Sequence, residues 1–193
     1  MNGMWLVRHG ALPPNPERRI VGNRDIPLSD AGRNQIRRLA RDFMPALAGR
    51  LAAVVSSDLG RCRETTSILL TGNEWAASPP PVHAEPGLRE IDMGQWQGLT
   101  RNEIEQRFPG QYAVRGKDFA RFRPEGGESF ACLQERALEA VQRWRRQYPD
   151  GLVLVVAHAG VIRCLLAHYM ALPLEEALNI PQEYGCRTFV PEW

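Results

Sequence analysis

Three short apolar runs constrain the fold of this chain more than any other feature. Residues 4–7, 52–55 and 152–156 are uninterrupted hydrophobic segments, too short to form buried helices. Uninterrupted apolar strands are typical of parallel sheets, in which helices cover both faces. The runs therefore predict three central strands of a largely parallel sheet. Two weaker candidate strands are residues 81–84 and 187–190.

Helical periodicity occupies the segments between these runs. Apolar residues from Ile36 to Leu47 recur at helical spacing, and Ser29 stands where an N-cap is expected. Pro45 is expected to end or kink this helix, because proline cannot donate the next backbone hydrogen bond. Further helices are predicted in three places, namely residues 61–70, the segment after Ser129 and residues 161–170.

The alternation of strands and helices predicts an α/β fold, a three-layer sandwich with helices on both sides of the sheet. A chain of 193 residues has the length of one ordinary domain, and the sequence contains no internal repeat or interdomain linker. Residues 1–193 are therefore predicted to form a single domain. Residues 108–127 combine glycine and proline with arginine and lysine, which indicates an irregular basic excursion. This excursion is either a lid over a site or a plain surface loop.

The charge balance disfavours several classes of protein. The 24 Lys and Arg residues against 22 Asp and Glu residues give a net charge of +2, whereas nucleic-acid binders need a basic face. Lys117 is the only lysine, which disfavours both a Walker-type loop and a Schiff-base mechanism. We therefore expect a small-molecule partner and no nucleic acid.

The cysteines and the apolar runs bear on the compartment. No pair of cysteines forms a CxxC motif, and no apolar run approaches the roughly 20 residues that span a bilayer. The chain also lacks a recognisable secretory leader, so a cytoplasmic protein without a membrane partner is expected. The thiols are predicted to be reduced and buried, at Cys62, Cys132, Cys164 and Cys186.

Two of the four histidines share one local context. His9 lies two residues after the first apolar run and precedes a glycine, and His158 lies two residues after the third run. Because open α/β sheets bind ligands outside the carboxyl ends of their strands, the two rings are predicted to face one pocket. His83 and His168 lack this context, and we interpret them as surface or packing residues.

Candidate anion-binding groups accompany these histidines. Arg8 precedes His9, and Arg61 and Arg63 open the helix that follows the second strand. A helix N-terminus favours anions, and the arginine fork matches phosphate oxygens. Arg61 is the stronger candidate of the two, because Arg63 reads equally well as a solvated charge.

Two acids, Glu90 and Asp92, lie on either side of Ile91 in a segment that also contains Leu88 and Met93. Glu90 and Asp92 could each lie in a partly dry site, where a carboxyl group can serve as a general acid. The spacing alone does not choose between the two acids.

Six segments, in chain order, resemble the motifs of the histidine phosphatase superfamily, the phosphoglycerate-mutase-like proteins. The first is the Arg-His-Gly signature within residues 6–10. Together the segments cover nearly the whole chain. The other five are residues 22–29 (G-x-x-D-x-P-L-S), 56–65 (S-S-D-L-x-R-x-x-x-T), 88–98 (L-x-E-x-x-x-G-x-W-x-G), 126–129 (G-G-E-S) and 158–163 (H-x-G-V-I-R).

The resemblance implies a role for each matched position. His9 matches the nucleophile that becomes a phosphohistidine, and Glu90 matches the proton donor to the leaving group. It implies no metal and no cofactor, because arginines neutralise the phosphoryl charge. The resemblance also implies substrate binding at the other matched positions: Arg8, Arg61 and His158 would bind the phosphoryl oxygens, Asn15 would contact the substrate, and Gly22 would contact it through its backbone.

The chain also departs from the family pattern at the rim of the expected pocket. Ala11 and Leu12 replace the Glu-Thr that many relatives carry after the signature, Gln97 replaces a Glu, and Ala159 replaces a Gly. None of these changes removes a group with an implied catalytic role. They bear on which substrate is accepted.

The resemblance favours a metal-independent phosphomonoester hydrolase that acts on a small phosphorylated metabolite. The G-G-E-S segment and the short span from Glu90 to His158 are similar to small phosphatases that act on α-ribazole 5′-phosphate, sugar phosphates or phosphoglycerate. Three alternatives remain: a phosphoglycerate-type mutase, a catalytically silent phosphate-binding module, and a zinc site built from His9, His158 and a cysteine. Whether the chain forms a homodimer is left open.

Overall fold

A five-stranded mixed sheet forms the centre of the protein, as seen in a computed structural model that describes residues 2–71 and 79–191. Four strands run parallel and the last is antiparallel to its neighbour. The order across the sheet is β3-β2-β4-β1-β5. The strands are β1 Gly3–Arg8, β2 Leu51–Ser56, β3 Val82–Ala84, β4 Leu152–Ala157 and β5 Arg187–Val190.

Six α-helices are described, and they cover the two faces of this sheet. Helices α1 and α2 lie over one apolar layer, and α5 and α6 lie over the other. The three-layer prediction is therefore confirmed. The helices are α1 Asp30–Phe43, α2 Gly60–Leu70, α3 Arg101–Arg107, α4 Gln111–Lys117, α5 Phe130–Gln147 and α6 Ala159–Tyr169.

The central strand β4 explains why the two layers form. All six of its residues are buried, and they alternate between the layers as side chains on a strand must. Val153, Val155 and Ala157 pack against the layer of α5 and α6. Leu152, Leu154 and Val156 pack against the layer of α1 and α2.

The helix N-caps lie where the sequence predicts them. The Ser29 hydroxyl accepts from the Gly32 amide at 3.0 Å, and the Ser129 hydroxyl accepts from the Cys132 amide at 3.2 Å. Helix α1 ends at Phe43 and a 3₁₀ turn, Met44–Leu47, carries Pro45. The expected effect of that proline is confirmed.

Gly32 lets helix α1 approach the loop that follows β1. A Cβ atom at this position would lie only 2.1 Å from the Ala11 carbonyl oxygen. Any larger residue would push α1 away from the loop that leaves the first strand. The glycine therefore positions the helix against the candidate site.

The expectation of an irregular segment over residues 108–127 is wrong in part. Helix α4 occupies residues 111–117, after Gly110 takes a positive φ of 78°. The Tyr112 ring stacks on Trp96 with centroids 5.1 Å apart and an interplanar angle of 3°. This aromatic contact orders a segment whose glycine and basic residues favour a loop.

The prediction that all four thiols are buried is also wrong in part. Cys62 and Cys164 are buried, whereas Cys186 is half-buried and Cys132 is exposed. Cys132 lies in the first turn of α5 on the side away from the apolar stripe of Leu133 and Ala137. Within the described ranges, no helix combines the length and the apolar composition that crossing a membrane requires.

Candidate active site

The sheet register brings His9 and His158 to the same edge. Strands β1 and β4 are parallel neighbours, and Arg8 is level with Ala157. The His9 amide donates to the Ala157 carbonyl at 3.1 Å, so the chain leaves both strands side by side. The two rings lie edge to face with centroids 5.1 Å apart. The structure thus brings His9 and His158 together at the carboxyl ends of β1 and β4.

The tautomer of His9 follows from one hydrogen bond. Its Nδ1 lies 2.8 Å from the Gly10 carbonyl oxygen, which can only accept. Nδ1 therefore carries the ring proton, and Nε2 keeps its lone pair. Burial, followed by the charges of Arg61 and Arg8, lowers the pKa of His9 to about 3. The ring is neutral at physiological pH and its Nε2 is nucleophilic.

Arg61 is a buried cation beside this ring. The residue is only 1% exposed, although guanidinium groups are almost never buried without partners. Its Nε donates to Nδ1 of His158 at 3.1 Å, and its two terminal nitrogens donate to the carbonyl oxygens of Gly22 and Arg24 at 3.1 and 2.6 Å. These three bonds fix the direction of the fork at the first turn of α2.

Arg8 reaches the same site although strand alternation points it to the opposite face from His9. Its guanidinium carbon lies 3.8 Å from the centroid of the Tyr184 ring, and a terminal nitrogen donates to the Gln182 carbonyl. The Tyr184 ring is in turn 5.5 Å from the His9 ring. Because the chain turns after β1, both cation and imidazole lie against one aromatic ring.

Glu90 lies at the N-terminus of α6, next to His158. Its two carboxylate oxygens accept from the Gly160 amide at 3.2 Å and from the Ile91 amide at 3.0 Å. A helix N-terminus stabilises negative charge. The arrangement holds one carboxylate at the edge of a site that otherwise contains imidazoles and guanidinium groups.

The G-G-E-S segment holds the loop that carries Glu90. The Glu128 carboxylate accepts from the Asp92 amide at 2.9 Å and pairs with Arg136. Arg136 also donates to the Glu90 carbonyl at 3.3 Å. A Cβ atom on Gly127 would lie 2.6 Å from the Asp92 carbonyl oxygen, so only glycine permits this approach. The segment therefore sets the position of the acid.

The Asp92 carboxylate stabilises its own loop. Its Oδ1 accepts from the Gly94 amide at 2.8 Å and from Nε2 of Gln97 at 3.0 Å. Of the two acids that the sequence offers, Glu90 is the one beside the histidines.

Three other basic residues, Arg63, His83 and His168, lie away from the site. Arg63 is exposed on helix α2, which agrees with its reading as a solvated charge. His83 packs on Trp144 with ring centroids 4.3 Å apart, and its Nε2 lies 2.9 Å from the Tyr148 hydroxyl. His168 is exposed. Both histidines are surface or packing residues, as expected.

Asn15 and Gly22 border the site. The Asn15 amide closes its own turn through the Arg19 backbone, at 2.8 and 3.0 Å. Gly22 has a positive φ of 58°, and its carbonyl oxygen is one of the acceptors for Arg61. Their contact with a substrate stays a prediction.

A cavity of about 230 Å³ adjoins Tyr184. Six of its lining residues are proline or branched aliphatic side chains, and Asn15, Arg19, Arg24 and Tyr184 are the polar ones. The cavity therefore offers an apolar wall with a few polar groups beside the candidate nucleophile. The apolar members are Leu12, Pro13, Pro14, Ile20, Val21 and Ile26.

The donor set is poor in metal ligands. Over residues 2–71 and 79–191, no group of three or more His, Cys, Asp or Glu residues could hold a metal ion. Cys62 lies 3.4 Å from Nε2 of His158, but burial raises its thiol pKa and so disfavours the thiolate that zinc would need.

Two residues of the site, Tyr184 and Ser57, are not indicated by any local pattern in the sequence. Tyr184 lies in a loop before β5, and its position depends on Gln35, whose amide donates to the Tyr184 carbonyl at 2.6 Å. Ser57 lies 2.9 Å from Nε2 of His158. Both contacts join segments more than 100 residues apart. Ser57 falls within segment 56–65, which resembles a family motif, and only that resemblance could have pointed to it.

The buried neutral His9 predicts acid-sensitive stability. Its folded pKa of about 3 lies below the ordinary value of 6.5, so unfolding takes up a proton as the pH falls below 6.5. At pH 5 this linkage destabilises the fold by about 2 kcal/mol relative to neutral pH. In urea unfolding at pH 7 and pH 5, a His9→Asn variant should lose about 2 kcal/mol less than the unmodified protein. Equal losses in the two proteins would contradict a buried neutral His9.

Known proteins resemble this chain in sequence and in fold. A glucosyl-3-phosphoglycerate phosphatase of Mycolicibacterium vanbaalenii is 35% identical over 178 residues, which are 88% of this chain and 75% of that protein. The solved structure of Bacillus stearothermophilus YhfR has a TM-score of 0.81 and 35% identity, covering 98% of this chain and 90% of that one. The α-ribazole phosphatase of Shigella flexneri has a TM-score of 0.82 and 25% identity, covering 97% and 89%.

A protein-family model also matches nearly the whole chain. The model described as the histidine phosphatase superfamily (branch 1) matches residues 4–191, which include His9, His158 and all of the sheet except Gly3. With the mixed sheet, the paired histidines and the phosphatases among its relatives, the chain belongs to the histidine phosphatase superfamily.

Proposed function

We propose that the protein hydrolyses phosphomonoesters through a phosphohistidine on His9. The single observation that carries the proposal is the hydrogen bond from Nδ1 of His9 to the Gly10 carbonyl. It leaves Nε2 unprotonated in a buried site with two arginines nearby. A neutral imidazole nucleophile among cations is what in-line attack on a phosphoryl dianion requires.

The first step transfers the phosphoryl group to the enzyme. Nε2 of His9 attacks phosphorus while the bond from phosphorus to the ester oxygen breaks. Glu90, in its protonated form, gives a proton to the departing oxygen, so the alcohol leaves neutral. The amides of Gly160 and Ile91 hold the resulting carboxylate.

The second step returns the enzyme to its starting state. Water attacks the phosphorus of the phosphohistidine, and Glu90 accepts one of its protons. The bond from phosphorus to Nε2 breaks, which releases inorganic phosphate and neutral His9. Glu90 is again protonated, so atoms and protons balance over the cycle.

The cations supply the electrostatic part of the proposal. Arg8 and Arg61 are both fixed before substrate arrives, one on Tyr184 and the other by three hydrogen bonds. Preorganised charge needs little rearrangement as the transition state forms, and it is usually the largest catalytic contribution. His158 supports this set by accepting from Nε of Arg61 at 3.1 Å.

The cavity beside Tyr184 is the proposed place for the leaving group. Its apolar wall favours a substrate that carries a ring, such as α-ribazole 5′-phosphate. A short polar acid such as 3-phosphoglycerate would contact this wall less well. Residues 108–127, with helix α4, are proposed to border the entrance as a lid. Phosphatase activity is favoured over mutase activity because the segment between Glu90 and His158 is short and contains G-G-E-S.

A phosphate-release screen in EDTA tests this function. The panel contains α-ribazole 5′-phosphate, 3-phosphoglycerate, sugar phosphates, nucleotides and p-nitrophenyl phosphate. We expect full activity in the chelator and the highest kcat/KM, about 10⁴ M⁻¹s⁻¹ or more, on a ring-bearing substrate. Activity that is lost in EDTA and restored by added metal would contradict the mechanism. Phosphate binding without turnover of any substrate would favour the silent binding module, and transfer between two phosphoglycerate molecules would favour the mutase.

A further inference from the structure

His158 is held from two sides by fixed partners. The residue is fully buried and follows the last residue of β4. Arg61 donates from Nε to Nδ1 of the ring at 3.1 Å. On the other edge of the ring, Nε2 lies 2.9 Å from the Ser57 hydroxyl oxygen. Both ring nitrogens therefore have a partner before any substrate enters.

These two partners allow only one position for the proton of the neutral His158 ring. Nε of an arginine always donates, because the guanidinium group does not lose its proton in proteins. Nδ1 of His158 must accept, so in the neutral ring the proton is on Nε2 and is donated to Ser57. With the proton on Nδ1 instead, two donors would face each other across 3.1 Å.

The surroundings keep this ring neutral. Burial, followed by the charge of Arg61, holds the pKa of His158 well below its ordinary value. The other facing groups are His9 from the end of β1, Arg8 from β1 itself and Arg136 from α5. These groups are cations or a neutral imidazole, and the neighbouring Glu90 carboxylate is held by the Gly160 and Ile91 amides. Cys62 from α2 lies 3.4 Å from Nε2 and carries a thiol whose pKa burial raises.

We propose that Ser57 is a positioning residue, which accepts the Nε2 proton of His158 and so keeps the Nδ1 lone pair directed at Nε of Arg61, the cation proposed to bind the phosphoryl oxygens. The proposal rests on the proposed function for its kinetic consequence, but not for the ring tautomer. The position of Ser57 is itself fixed, because its amide donates to the Val156 carbonyl at 2.9 Å and joins the ends of β2 and β4. The Leu59 amide also donates to its hydroxyl oxygen at 3.4 Å.

Removal of the Ser57 hydroxyl should disturb the site through His158. The Nε2 proton would lose its acceptor in a place that water does not reach, and the thiol of Cys62 is a weak replacement. The ring would then be free to turn or to exchange tautomers. Arg61 would lose its fixed partner at the same time, so phosphate affinity should fall.

Ser56 provides a matched control. It is the preceding residue, it is 2% exposed, and its hydroxyl donates to the Ser57 carbonyl at 2.9 Å. Ser56→Ala removes one buried hydroxyl, as Ser57→Ala does, without removing a partner of His158. Ser57→Thr keeps the hydroxyl and serves as the rescue variant.

The first arm of the experiment is ¹⁵N NMR of the histidine side chains in the unmodified protein. We expect His158 to carry its proton on Nε2 at pH 7. A signal with the proton on Nδ1 would overturn the proposal without any variant and without any assay of turnover. This arm also separates failure of the proposal from failure of the proposed function.

The second arm measures inorganic phosphate binding and turnover in the three variants. Ser57→Ala should weaken phosphate binding about 10- to 100-fold and change the His158 tautomer signal, whereas Ser56→Ala should leave both unchanged. Ser57→Thr should restore at least part of the affinity. If Ser57→Ala keeps the original signal and affinity, or if Ser56→Ala has the same effect, the positioning role is wrong. If Ser57→Ala does not fold, Ser57→Thr and the NMR arm decide the question.

Discussion

A His9→Asn variant should lose kcat by a factor on the order of 10⁴ or more while remaining folded. Asparagine can still donate to the Gly10 carbonyl, which accepts from Nδ1 of His9 at 2.8 Å. It has no nucleophilic nitrogen, so the covalent step disappears and only binding and charge stabilisation remain. The measurement is phosphate release under saturating substrate, with circular dichroism to establish folding.

His83→Asn is the control for this change. His83 is a half-buried histidine that packs on Trp144 outside the site. The control should keep nearly full activity. If His9→Asn turned over substrate within about tenfold of the unmodified rate, His9 could not be the nucleophile.

A Glu90→Gln variant should slow hydrolysis by an amount that depends on the leaving group. An alkyl oxygen needs a proton to depart, so kcat/KM on an alkyl phosphate should fall about 10²- to 10⁴-fold. A p-nitrophenolate leaves without a proton, so its transfer step should be affected much less. The measurement is kcat/KM on both substrates, because this ratio reports the first chemical step.

Asp92→Asn is the matched control for Glu90→Gln. Asp92 is a carboxylate two residues away that accepts from the Gly94 amide and from Gln97. Its loss should affect the two substrates to the same extent, since it acts on the loop and not on the leaving group. Equal losses on the two substrates for Glu90→Gln would argue against an acid at this position.

The strands could be predicted because a strand that is buried on both faces needs apolar residues at every position. Strand β4 is buried at every position, so its run of aliphatic residues is unbroken. The edge strand β3, Val82–Ala84, carries an exposed Val82 and gives a weaker signal for the same reason. The positions of His9 and His158 then followed from the rule that sites lie at the carboxyl ends of parallel strands.

Other features of the site could not be predicted from local patterns. The aromatic contact of Tyr112 with Trp96 stabilises α4 against its loop-like composition. Tyr184 reaches His9 only because β5 returns antiparallel beside β1. In both cases the deciding contact joins residues that are distant in the sequence, and a local pattern contains no information on it.

The roles of Glu90 and Arg61 depended on the family resemblance together with geometry. Glu90 and Asp92 both adjoin the apolar Ile91, and the structure places only Glu90 at the N-terminus of α6. Similarly, Arg61 and Arg63 both open α2, but only Arg61 points inward to His158. Two positions along the helix, just over half a turn, separate a buried cation from a solvated one.

Trapping of the phosphoenzyme tests the central claim most directly. The protein is mixed with ³²P-labelled substrate, quenched within milliseconds in alkali, digested and analysed by mass spectrometry. The account predicts a base-stable, acid-labile phosphate on Nε2 of His9, formed at a rate at least equal to kcat and absent in His9→Asn. Label on another residue, or full turnover with no labelled protein at any time, would contradict it.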